Sequence, residues 1–133
     1  MITLVIVATL IIHFYYDWNQ GPVSEFKCRD WWVKNGLTDK MYKSDYKCAL
    51  FAHSFLWALL IMVPSMLYWY HIGIAEDGIA LCAISLIFIN TEVHYIIDDL
   101  KANRYELNLW QDQIMHLIQI IVLLILSIAY IPN

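Results

Sequence analysis

Seven residues of this chain have side chains suited to chemistry: His13, Asp17, His53, His94, Asp98, Asp112 and His116. Six of them form pairs four residues apart, His13/Asp17, His94/Asp98 and Asp112/His116, while His53 stands alone. On an α-helix, residues at that spacing lie about 40° apart around the axis and share a face. Neutral imidazoles beside carboxylates suit a divalent metal, zinc first and iron or manganese next. Seven groups exceed the four of one tetrahedral zinc site, so either two ions share them or one or more aspartates orient a histidine from behind. The charge balance allows both, since Asp17, Asp98 and Asp112 leave about −1 around one divalent ion and about +1 around two. Asp17 or Asp112 would serve as general base if it is not itself a ligand. Asn90 lies on the stripe of His94 and Asp98, and Gln119 follows His116 on the next turn, so both are expected to support the ligands. Glu92 and Asp99 fall on another face.

Such groups need elements to position them, and the composition says which. The chain of 133 residues is 61% hydrophobic and only 15% charged, with a net charge of −4, which fits an integral membrane protein of one domain. The acidic balance gives no signature of nucleic-acid binding. Apolar stretches predict an all-α, four-helix transmembrane bundle over residues 1–133, with helices at about 2–17, 48–70, 76–98 and 112–131. The first stretch carries no basic leader and no cleavage site, so it reads as a retained helix. All eight Lys and Arg fall in the first and third loops. The positive-inside rule therefore puts those loops in the cytoplasm and both termini outside. Trp18, Trp31, Trp32 and Trp110 then mark the cytoplasmic boundary, and Tyr68, Trp69, Tyr70 and Tyr130 the outer one. Trp57 alone among the tryptophans sits well inside a span.

Within the first loop, Ser24 is expected to cap a short interfacial helix that Asn35-Gly36 stops, with Phe26, Trp32 and Val33 toward the membrane. Gly73 and Gly78 mark a tight outer hairpin. Cys28, Cys48 and Cys82 are odd in number and lack CxxC spacing, so no disulfide framework is implied. With this topology, all the His/Asp groups fall in one layer near the cytoplasmic face. Ionisable groups are costly inside a membrane, and their gathering there points to function.

The ordered motifs HFYYDWNQ, WWVKNG, HSFLWALL, HYIIDDLKAN and WQDQIMHL run from His13 to Leu117 and so extend over most of the chain. In order, spacing and membrane placement they resemble the bacterial and phage integral membrane proteins grouped as domain of unknown function 3307. That family is similar in kind to inner-membrane metal-dependent hydrolases. The resemblance implies roles for Gln20, Lys34, Lys101 and Gln113 in supporting the ligands or binding substrate, with Lys34 and Lys101 drawing an anionic group to the cytoplasmic rim.

The expected function is a metal-dependent hydrolase of the bacterial inner membrane, acting on a lipid-like or phosphorylated substrate through a metal-activated water. Two other classes compete: a zinc transporter, and a non-catalytic interaction protein whose metal only holds the helices together. Membrane lipids are the expected partners, with a homodimer plausible for so small a bundle.

Overall fold

The structure, a computed structural model, describes residues 1–19, 25–74 and 77–129. Gln20, Ser24 and Tyr130 lie outside the described residues. The helices are α1 (Ile2–Asn19), α2 (Arg29–Lys34), α3 (Asp45–His71), α4 (Asp77–Ala102) and α5 (Leu109–Ala129). Four of them, α1, α3, α5 and the Ala80–Ala102 part of α4, are long and apolar enough to cross a membrane. Even the 18 residues of α1 extend for about 27 Å at the α-helical rise. α3 starts at Asp45 rather than 48, and α4 runs on to Ala102 rather than 98. Hydropathy marks the thickness of the apolar layer, whereas a helix continues past it with polar side chains.

Sequence chemistry ends these helices where it can. After α2, Gly36 takes a φ of 75°, its N–H donates to Val33 O and that of Leu37 to Trp32 O, closing a Schellman motif. Gly73, with φ 76°, does the same after α3, through Gly73 N to Tyr70 O and Ile74 N to Trp69 O. Gly78, expected in that hairpin, belongs instead to the first turn of α4. α5 opens on a capping box: Gln111 N donates to Asn108 Oδ1, and Asn108 N to Gln111 Oε1, both at 3.0 Å. α2 is shorter than the sequence suggested and starts from Cys28, which makes no side-chain cap. Its indoles pack among themselves, with Phe26 and Trp31 ring centroids 4.5 Å apart and Trp32 Nε1 donating to Phe26 O.

The most extensive packing is between α3 and α4, then α1 with α3 and α4 with α5. The sorting of side chains is inverted relative to a soluble domain. Leu4, Leu81, Phe88, Ile89 and Ile125 are exposed, while four histidines and two aspartates are buried. Away from those groups the core is apolar, built on Ile61, Met62, Trp69, Ile120 and Leu123. Trp69, expected at the interface, is 1% exposed and donates its indole N–H to Ser127 O at 3.0 Å. Three smaller polar side chains bond back into their own helices, Ser54 to Leu50 O, Asn90 to Leu86 O and Thr91 to Ile87 O. This satisfies hydroxyl and amide donors without a partner helix.

Candidate metal centre

Four helices deliver the cluster from one end of the bundle. α1 carries His13 and Asp17 in its last two turns, α3 carries His53 early, α4 carries His94 and Asp98 late, and α5 carries Asp112 and His116 in its first turns. The four-residue spacing turns each pair inward: His13, His53, His94, Asp98, Asp112 and His116 are all at most 2% exposed.

Asp98 is the hub. Its Oδ2 lies 3.1 Å from His53 Nε2 and 3.6 Å from His94 Nε2, while its Oδ1 lies 3.3 Å from His116 Nε2. His53 Nε2 and His94 Nε2 stand 3.2 Å apart. Ligand atoms about 2.0–2.1 Å from a tetrahedral zinc ion are separated by about 3.4 Å, so these spacings are those of ligands around one ion. Among the described residues two groups have ligand atoms all within 4.8 Å of one another, His94/Asp98/His116 and Asp17/His53/His94. The cluster also holds buried carboxylate oxygens without a hydrogen-bond partner, Asp17 Oδ1 and Asp112 Oδ1. Each such atom costs about 1–3 kcal/mol unless something satisfies it. The residues present therefore fit a divalent cation.

The remaining expected residues separate by what they touch. His13 accepts the Trp57 indole N–H on Nδ1 at 3.1 Å, and a neutral ring accepting there carries its own proton on Nε2. It belongs to neither ligand group. Asp112 also stands outside both groups: its Oδ2 takes Lys101 Nζ at 2.6 Å and Gln113 Nε2 at 3.0 Å, and its Oδ1 lies 3.5 Å from His116 Nε2. Gln113 Nε2 also reaches Asp17 Oδ2 at 3.4 Å, linking α5 to α1. Gln119 donates to Asn90 O and Oδ1 at 2.8 and 3.0 Å, so these two amides join α4 to α5 one level deeper.

Three residues that the sequence reading did not assign to the site complete the centre. Trp57 stacks on His94 with ring centroids 4.1 Å apart and planes 20° apart, fixing the imidazole's orientation. Lys27 reaches in from the first loop, its Nζ 2.5 Å from Asp98 Oδ2 and 3.0 Å from His53 Nε2. Asn103 anchors that loop by accepting Arg29 N–H on Oδ1 at 2.7 Å and donating to Lys27 O at 3.2 Å. Nothing in the spacing of Lys27 marks it among six basic residues of one loop; Trp57, the lone indole inside a span, carried a readable signal.

A cleft of about 660 Å³ leads from outside to the cluster, lined by Asp17, Lys27, Lys34, Asp98, Lys101 and Tyr105 among others. Tyr105 takes a φ of 58° without being glycine and donates its hydroxyl to Asp30 Oδ2 at 2.6 Å, tying the third loop to α2 across the cleft mouth. Burial opposes the charge of Lys27, but the Asp98 carboxylate beside it outweighs this and raises the ammonium's pKa above its ordinary value. Burial likewise pushes the Cys28 thiol up, away from the thiolate form a metal would need. Comparison of the chain with protein-family models, curated proteins and solved structures finds no match.

Proposed function

We propose that this chain is a membrane-embedded, metal-dependent hydrolase of the bacterial inner membrane that acts at the cytoplasmic face on a lipid-like or phosphorylated substrate. The observation that carries the reading is the convergence of buried His53, His94, Asp98 and His116 at ligand spacing beside a cleft open at the protein surface. Structural zinc sites are closed by protein ligands, whereas catalytic ones keep a position open to substrate. The concentration of Lys and Arg in the two loops at this end supports a cytoplasmic orientation, with both termini on the other side.

In this reading His94, Asp98 and His116 hold the ion, with His53 beside them. A divalent ion so held supplies Lewis-acid polarisation of an ester or phosphoester and acidifies a water toward neutral pH. Asp17 is the better general base of the two aspartates considered, because it lines the cleft and has a carboxylate oxygen free of partners. Asp112, held by Lys101 and Gln113, lies 3.5 Å from His116 Nε2, the same nitrogen that faces Asp98, and so adds negative charge beside the ion. Lys34 and Lys101 in the cleft wall attract a phosphate or other anionic headgroup. One ion suits this centre better than two, since the two groups at ligand spacing share His94 and Lys101 already offsets Asp112. A transporter is less well supported: beyond the cluster the described core runs through Trp57, Ile61, Met62, Leu123 and Trp69 and offers no ladder of ligands.

Elemental analysis of the purified protein, followed by phosphate release from phosphatidic acid in mixed micelles, tests the proposal. Wild type is expected to carry a stoichiometric divalent metal, His94→Ala to lose it, and Asp17→Asn to keep the metal while losing turnover. A protein free of divalent metal at neutral pH sinks the hydrolase and the transporter together.

A further inference from the structure

Among the described residues Lys27 is the one ammonium at the ligands, and its position is built. The loop that carries it is held at two backbone points by Asn103 and at a third by Trp32, whose indole bonds Phe26 O at 2.8 Å. From that anchor its Nζ meets Asp98 Oδ2 at 2.5 Å and His53 Nε2 at 3.0 Å, while the same carboxylate oxygen faces His94 Nε2 at 3.6 Å. These are atoms that a divalent ion would need. An ammonium and a divalent cation cannot share so small a space, because both require the same lone pairs and repel each other.

We propose that Lys27 is a resident cation of the metal site, occupying lone pairs of Asp98 and His53 that the ion beside them would draw on and setting the site's metal affinity by competition. The inference rests on the metal-binding reading above. Without metal, the ammonium neutralises Asp98, whose burial would otherwise leave a charge uncompensated inside the bundle. When the ion enters, the flexible four-carbon stem lets the ammonium leave for the cleft that Lys27 also lines, while the anchored backbone stays in place. There it joins Lys34 and Lys101 on the path of an anionic substrate. Lys27 thus acts as a positioning residue that trades one partner, Asp98, for another. Its neighbour Lys101 differs in its partner: it bonds Asp112, which belongs to neither ligand group.

Zinc titration of the detergent-purified full chain tests this with wild type, Lys27→Met, Lys27→Arg and His94→Ala. Losing a charge-assisted hydrogen bond that the ion must otherwise break should let Lys27→Met bind zinc about 10- to 100-fold more tightly than wild type. Lys27→Arg, which keeps the charge, should bind more weakly than Lys27→Met. Thermal melts supply a readout that loop anchoring alone would not give. Lys27→Met should melt below wild type without metal, and zinc should raise its melting temperature by more than it raises that of wild type. Where metal-free Lys27→Met does not accumulate, Lys27→Gln, which keeps a donor without the charge, takes its place. Equal or weaker zinc binding by the uncharged variant, with wild type binding and His94→Ala not, overturns the role of Lys27 alone. Zinc binding by His94→Ala as tight as wild type, or by none of the proteins, overturns the metal reading and this one with it.

Discussion

The two ends of this bundle are made from the same helices and hold together by different means. Near the basic loops, α1, α3, α4 and α5 meet through His13, His53, His94, Asp98, Asp112 and His116, where each group depends on a particular partner. Toward the other end they meet through Ile61, Met62, Trp69, Leu123 and Leu124, where shape and volume matter and identity matters less. In lipid, apolar packing gains little from water exclusion and relies on close contact, whereas an unpaired polar group has nowhere else to turn. The polar end is therefore the less tolerant one.

The sharpest way to break this contrast is Asp98→Ala. It strands Lys27 and three imidazoles in a buried site, so unfolding in detergent micelles should become easier by about 3–5 kcal/mol, with bound metal lost as well. At the other end, Leu123→Ala should cost about 2 kcal/mol in the same assay, the low end for a buried leucine because the transfer contribution is missing in lipid. Its metal content should stay that of wild type. If the two variants lost equal stability and equal metal, the distinction between the ends would fall. Smaller is Asn103→Ala, which frees the loop behind Lys27 at a cost of about 1–2 kcal/mol. Hydrogen exchange should speed up around residues 27–29 and leave α5 unchanged. Smallest is Trp69→Phe, which keeps the ring's bulk and gives up only its bond to Ser127 O, worth about 0.6 kcal/mol in a membrane interior.

Much of the fold was legible. Long apolar stretches mark the four spans because the chemistry of the bilayer acts on local composition, and Asn35-Gly36 stops α2 because glycine accepts the left-handed turn at no steric cost. The helix ends were misjudged at Asp45 and Ala102, where polar turns continue a helix past the apolar layer. Trp69 was misjudged for a related reason: its place near a span's end suggested an interface, but a carbonyl on α5 offered its N–H a partner inside. The aspartate–histidine spacing was legible because it is a property of one helix. The sorting of those residues into ligands and supports was not, since it depends on which neighbour each ring meets. His13 turns to Trp57 on α3, and Asp112 turns to Lys101 and Gln113. Asn90 and Gln119, expected to back the ligands, bond each other instead.

The sequence by itself determined which segments are apolar enough to span, that the pairs share helix faces, and that they lie near the span ends joined by basic loops. These follow from hydropathy and the helical period, which act over a few turns of one chain segment. Tertiary structure alone decided that Asp98 is the hub, that Trp57 fixes His94, and that Lys27 crosses a separation of 71 residues to reach Asp98. Those outcomes depend on how helices pack and where a loop folds back, and a buried carboxylate takes whichever cation that packing brings within reach.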